Sequence, residues 1–472
     1  MIKNLLILTS IFILSSCSMH STTPASDDNS NTNSNSNSNS STGLSVAATN
    51  NTMNINASVT LTPAGAMGSG KVYQTSTLLD DGTVLVAGGQ GDLIILREAQ
   101  IYDHGAGSFT NTAGLLNIAR YNHTATLLND GRVLLAGGNG AVGVTGSVEL
   151  YDPETGLFTS TDGLATVRTR HTATLLPSGK ILIAGGYNDL GAIASTAVYD
   201  PDPETFSAGG NMTTARYNHT ATLLDNGKVL ITGGIDGSHS YLNNAELYDP
   251  NTNAFTLLSD VMSTARERHQ AILLNNGNVL IVGGTSDEAT SLSSAEMFDS
   301  SDNSFTLLEV RLGTARDGFA ASLLDNGDVL IVGGESDGII IDSVEKYSYS
   351  QQGFFEALSL FQPTWGVATT VLNDGGVLIT GGDIGEATFF SGSSLYEDVV
   401  TGDLTNQITA TGGTAPYGYT LVSGSGNVNF VTGVFNADPY AYGTQTVAIR
   451  ATDSLGSTAD IRIVVTVNNL AD

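Results

Sequence analysis

Six basic side chains stand at one recurring place along the chain: Lys71, Arg120, Arg168, Arg216, Arg266 and Arg316, with Thr364 at the seventh such place. They are six of only 17 basic residues, so their placement is not diluted by a generally basic surface. A guanidinium presents paired donors that match a carboxylate. A collar of them on a molecule of net charge −29 would focus the field on an anionic ligand, such as a carboxylate-bearing sugar or an acidic peptide. A local role competes with that one. At matched positions further along each repeat stand Gln100, Glu149, Glu246, Glu296 and Glu345, with Ala197 and Ser394 in the other two. Each Arg can pair with the Glu of its own repeat and neutralise the ring. Regular recurrence favours this scaffold role.

Three residues after each basic position come His123, His171, His219 and His269, whereas Gln74, Phe319 and Val367 fill the same place in the other repeats. Metal ligands must converge on one point at about 2 Å. A place that accepts Phe and Val is a packing position, so neither a metal nor a cofactor is expected. The single cysteine, Cys17, excludes an intrachain disulfide and a thiolate metal cluster. No paired carboxylates, nucleophile elbow or phosphate loop stands clear of the repeat. The Gly-Gly pairs end strands and no helix follows them, so they are not phosphate cradles. The acidic balance also argues against nucleic acid as a partner.

The elements that must carry these residues follow from the period. A Gly-Gly pair closes an apolar run at Gly88, Gly137, Gly185, Gly233, Gly283, Gly333 and Gly381, every 48 to 50 residues. Within one unit His123–Leu128 alternates as a strand does, Asn129-Asp130-Gly131 supplies a tight turn, and Arg132–Ala136 returns. A variable loop leads to a third strand, Val148–Asp152, and Pro153–Gly156 turns the chain into a fourth at Leu157–Thr159. Four antiparallel strands repeated seven times predict a propeller. With 55 glycines and 13% charged residues, the composition opposes helical bundles.

An aromatic recurs in the third strand (Tyr102, Tyr151, Tyr199, Tyr248, Phe298, Tyr347, Tyr396), and a phenylalanine follows seven residues later at Phe109, Phe158, Phe206, Phe255, Phe305 and Phe354. The apolar run, the Gly-Gly pair and the two spaced aromatics resemble the kelch repeat, with Phe where the family usually has Trp. The resemblance implies an all-β fold: a seven-bladed kelch propeller over residues 53–402. Asp403 stands where the seventh unit should have its second aromatic, so that unit lacks a fourth strand. Ala57–Thr62 is similar to the fourth-strand sequence and is expected to pair with the strand around Leu395-Tyr396, closing the ring. Residues 403–472 resemble bacterial immunoglobulin-like and cadherin-like modules, which implies a small β-sandwich. Asp453 is read there as a turn former.

The N-terminus has a basic start, an apolar run from Leu5 to Leu14, and Ser15-Ser16-Cys17, the pattern of a secretory signal peptide. Leu14–Cys17 resembles the lipobox of bacterial lipoproteins, which implies a signal peptide over residues 1–16 and lipidation of Cys17. Residues 17–52 form a Ser/Asn-rich tether with too little apolar surface to order itself.

The propeller resembles galactose oxidase, whose site requires two histidines, two tyrosines and a cysteine crosslinked to one tyrosine. With Cys17 alone that crosslink cannot form. Together these features predict a bacterial outer-membrane lipoprotein, facing the periplasm or the exterior, that captures a protein or glycan ligand and contacts the membrane through its lipid. The alternative is a carbohydrate-modifying kelch enzyme, epimerase-like or oxidase-like, with a non-thiolate site.

Overall fold

The computed structural model describes residues 61–382 with their side chains, apart from residues 62 and 92–93; outside that range it describes only the backbone of strands. Cys17 and most of the 17–52 segment lie outside the described residues. Every regular element among the described residues is a strand. Two compact units emerge. One is Leu61–Glu397, and the other comprises Met1–Thr60 with Asp398–Asp472.

The larger unit is a β-propeller. Blade 2 shows the plan: an inner strand Thr124–Leu127, then Val133–Ala136, Val148–Asp152 and an outer strand Leu157–Ser160, all antiparallel neighbours in that order. Six such four-stranded sheets are complete, beginning at inner strands Thr75–Leu78, Thr124–Leu127, Thr172–Leu175, Thr220–Leu223, Gln270–Leu273 and Ala320–Leu323. The sequence expectation was seven. In the seventh repeat the fully described part is the inner hairpin, Ala368–Val371 with Val377–Thr380. Its sheet continues into Gly392–Asp403 and then Thr52–Ala66. The inner strands follow one another in a circuit, and Ala368–Val371 lies against both the sixth and the first.

Each second strand, such as Val133–Ala136 or Ile181–Ala184, is buried along its whole length. Its alternate side chains serve different neighbours. Val133 and Leu135 pack toward blade 1 with Leu85, Ala87 and Leu116, while Leu134 and Ala136 pack toward blade 3 with Ile181, Ile183 and Leu164. The core is therefore a set of inter-blade layers, so no blade completes its core alone. The paired aromatics belong to these layers: Tyr151 and Phe158 are cross-strand neighbours with ring centroids 4.9 Å apart, and the same pairing recurs in the other five complete blades.

In the smaller unit, Gly418–Ser423, Gly443–Thr452 and Thr458–Val467 form an antiparallel sheet.

Candidate functional site at the propeller mouth

The recurring geometry of the repeat begins with the arginines. Arg120, Arg216, Arg266 and Arg316 are all 0% exposed. Each pairs with a Glu of its own blade: Arg120 with Glu149 at 2.5 Å, Arg216 with Glu246 at 2.9 Å, Arg266 with Glu296 at 2.7 Å and Arg316 with Glu345 at 2.5 Å. Each also donates to the carbonyl of the first glycine of the Gly-Gly pair, Gly137, Gly233, Gly283 and Gly333 respectively. The Glu accepts two successive backbone N–H groups besides, as Glu246 does from Thr213 and Thr214. Burial pulls these arginines down from their ordinary value and the carboxylates oppose it.

The ring expected to receive an anionic ligand is thus an internal clamp. Arg168 and Lys71 are buried at the same place. Arg168 faces Ala197 instead of a Glu and holds Gly185, Ser195 and the Thr166 carbonyl. Lys71 is too short to make the clamp, its Nζ makes no hydrogen bond, and burial lowers its pKa to about 8 against the pull of Glu98.

The histidines are buried as well, and His123, His171, His219 and His269 each place Nε2 on a threonine hydroxyl of the preceding blade. Burial holds all four well below the usual imidazole range, His171 at about 3, with the neighbouring arginines adding to the effect. Among the described residues no three His, Cys, Asp or Glu side chains come together as a metal-ligating group.

A ring from blade to blade is made by the residue two places after each clamp position. Tyr73, Asn122, Arg170, Asn218, Arg268, Gly318 and Gly366 all sit in the left-handed region, with φ between 49° and 66°. They are linked around the mouth by backbone bonds from one blade to the next: Asn122 N–H to Tyr73 O (3.2 Å), Arg170 to Asn122, Asn218 to Arg170, Arg268 to Asn218, and Gly366 to Gly318 (2.9 Å). Because this collar is built from the backbone, the repeat does not fix the identity of its side chains.

Those side chains, and the ones just before them, break the symmetry. Glu267 and Asp317 replace the Tyr121, Thr169 and Tyr217 of earlier blades. Both are nearly buried, at 4% and 6% exposure. Arg268 lies between them, 3.8 Å from Glu267 and 3.5 Å from Asp317. Asn218 donates to Glu267 at 2.6 Å and the Ser291 hydroxyl to Asp317 at 3.0 Å. Burial raises the pKa of Glu267 and of the nearby Glu335.

Arg268 also stands 6.0 Å from the ring centroid of Trp365, a cation–π distance. Trp365 meets Tyr73 edge-on at 5.4 Å, and Tyr73 lies 6.1 Å from Tyr121. Gly318 makes room for this cluster, since a Cβ there would approach Trp365 to 2.8 Å.

The sequence shows no paired carboxylates clear of the repeat, whereas the structure brings Glu267 and Asp317 to either side of Arg268. The signal in the sequence is the irregular residue directly after the clamp position in repeats 5, 6 and 7: Glu267, Asp317 and Trp365. The surplus of carboxylates here also removes the basis for an anionic ligand at this face.

The Kelch-repeats domain model described for KLHDC2, KLHL20 and DRC7 matches residues 170–382. No curated protein matches the chain in sequence. Among solved structures, the chain is similar to a novel fungal alcohol oxidase of the AA5 family in complex with copper, at 14% identity and a TM-score of 0.59, over 86% of this chain and 99% of that one. Residues 170–382 are a kelch-repeat domain within a β-propeller, and the oxidase shares the fold. The described residues do not fit that protein's copper, given the scattered histidines and the absence of a ligating group among them.

Proposed function

We propose that this protein is a lipid-anchored binding protein of the bacterial envelope that captures a glycan or protein ligand at its propeller mouth. The carrying observation is the cluster of Arg268, Glu267, Asp317, Trp365 and Tyr73, where the repeat abandons its own pattern. A left-handed φ costs a non-glycine residue about 1 kcal/mol or more. Blades 6 and 7 avoid that with Gly318 and Gly366, whereas Tyr73 at 57° and Arg268 at 49° keep their side chains despite it. Strain retained at irregular side chains around a channel mouth marks them as recognition residues.

Binding is favoured over turnover because Glu267 and Asp317 are both nearly buried and held by donors of this chain, a fixed network rather than groups open to a substrate. The carbohydrate-modifying alternative predicts product formation from an array glycan, and the binding reading predicts none.

Replacing Arg268 and Trp365 by Ala should lower capture at least tenfold on combined glycan and peptide arrays, with the melting temperature within a few degrees of the parent. Unchanged capture in both variants would overturn the mouth as the site.

Three finer features belong to the same reading. A seventh blade, closed by the N-terminal strand, is supported by the circuit of inner strands and by Ala64 and Met67, which pack with Leu372 and Leu378 of the seventh repeat and Val84 of the first. An immunoglobulin-like C-terminal module is supported by the three-stranded sheet of residues 418–467. Lipidation at Cys17 rests on the lipobox sequence. It predicts that Cys17→Ser ends palmitate labelling and moves the protein from membrane to soluble fractions; persistent labelling would exclude it.

A further inference from the structure

We infer that the mouth receives a polypeptide partner whose docking segment is both cationic and apolar. This rests on the mouth being the binding surface and adds the chemistry of what binds. The rim has two unlike arcs.

Over blades 1 to 3 it is aliphatic. Ile94, Val142 and Leu190 stand on the loops after the Gly-Gly pairs at 65%, 104% and 96% exposure, and Ile118 and Val167 on the connectors between blades at 41% each. The connectors and loops meet: Ile118 lies against Gly140, at the foot of the hairpin whose tip carries Val142, and Val167 lies against Gly146 at its other end. Repeat logic shows that the scaffold does not ask for these residues. Blades 4, 5 and 6 read Thr214-Ala215-Arg216, Thr264-Ala265-Arg266 and Thr314-Ala315-Arg316, but Ile118 takes the Thr place in blade 2 and Val167 the Ala place in blade 3. A side chain such as Val142, wholly in water at a hairpin tip, adds nothing to the core, and exposed aliphatic side chains recurring on the loops and connectors of successive blades offer apolar surface to a partner rather than to the fold.

Over blades 5 and 6 the rim is acidic. Asp287, Glu288 and Asp337 are exposed on the loops, with Glu335 half-buried and Glu267 and Asp317 beneath. Arg268 offsets one of these charges. One apolar tip, Ile339 at 69%, stands among them.

A surface half aliphatic and half anionic is complementary to a segment carrying Leu-like and Lys- or Arg-like side chains. An acidic peptide would be repelled. A neutral glycan would use Trp365 and the carboxylates but has no partner for the aliphatic arc.

The test uses the full chain and three fluorescent peptides of equal length: one of Lys and Leu, one of Glu and Leu, and one of Lys with Ser. Expected is that the Lys/Leu peptide binds at least tenfold more tightly than either of the others. Val142→Asp with Leu190→Asp, both at exposed tips, should abolish that advantage without changing the melting temperature, and Glu288→Lys with Asp337→Lys should weaken it. Binding of Lys/Ser equal to Lys/Leu, or indifference to the Val142/Leu190 pair, would overturn the proposal. Capture of a neutral oligosaccharide that depends on Trp365 but not on Val142 and Leu190 would overturn it while leaving the binding function standing. Failure of every peptide and oligosaccharide would remove both.

Discussion

Arg168 differs from its counterparts in having no carboxylate, and the difference separates the two halves of the clamp. It keeps its bonds to Gly185 O and Ser195 O at 2.8 Å, and burial alone pulls its pKa down to about 10. The carbonyl bonds are therefore the common function of the position, and the Glu satisfies what remains of the guanidinium and the connector N–H groups. Removing one partner of a buried pair leaves an uncompensated charge. Glu246→Ala should destabilise by about 3–5 kcal/mol in urea melts, and Arg216→Glu should abolish folding. Ala197→Glu supplies the missing partner in blade 3 and should raise stability by about 1–3 kcal/mol; a loss there would show that the site cannot accept the carboxylate.

The four histidines predict an acid limb. Their folded-state pKa values lie below that of the unfolded chain, about 6.5, so the unfolded state binds more protons between the two. Their stability contribution is complete above about pH 6.5 and declines as pH falls toward about 3, the value for His171. Each contributes a slope of up to about 1.4 kcal/mol per pH unit. Phe319 fills the equivalent place at 3% exposure. His219→Phe should thus reduce the fall in stability between pH 7 and pH 5 by roughly a quarter, one histidine of four.

At the scale of the element, the Gly-Gly pair is where strand, clamp and neighbouring blade meet. Gly137 has a φ of 61°, and a Cβ there would stand 2.6 Å from the carbonyl of Arg168. Backbone cannot yield as a flexible side chain does, so Gly137→Ala should cost more than about 2 kcal/mol, and Gly107→Ala, with a similar φ of 60° but open space around it, distinctly less. The difference between the two melts isolates the inter-blade contact from the dihedral strain. Strand positions, turns and the spaced aromatics were all legible from periodicity, because each is a local requirement repeated at a fixed interval. The collar was not: its left-handed φ values occur at Tyr73, Asn122, Arg170, Asn218 and Arg268 as well as at glycines, so no single residue type marks it.

For the whole molecule, stability depends on how the inter-blade layers meet around the circuit. Each layer joins two repeats, and the one between the seventh and the first contains Ala64 and Met67 from ahead of the first repeat. Met67 is 2% exposed, and Met67→Ala should cost about 2–5 kcal/mol. Deleting residues 53–64 should lower the thermal midpoint further still; an unchanged midpoint would show that the ring does not need this segment. The same seam gathers buried polar atoms without partners, at Lys71, Gln74, Thr364 and Thr380, and lacks the His-to-Thr bond that four of the other seams carry. It is chemically the least regular of the interfaces, so it should open first, and hydrogen exchange should be fastest in strands Thr75–Leu78 and Ala368–Val371 among the inner strands.

The sequence by itself determined the repeat, the strand plan and the Gly-Gly and aromatic positions, because hydrophobic period and turn chemistry act over a few residues and need no knowledge of distant ones. It also posed the right alternative for the arginines, collar or clamp, but could not choose between them. That choice depends on whether Arg216 and Glu246, 30 residues apart, point inward together, which is a matter of burial and blade packing. Only the tertiary structure assembled the mouth, since Arg268, Asp317, Trp365 and Tyr73 come from four different repeats and become neighbours only when the repeats are arranged around a common axis.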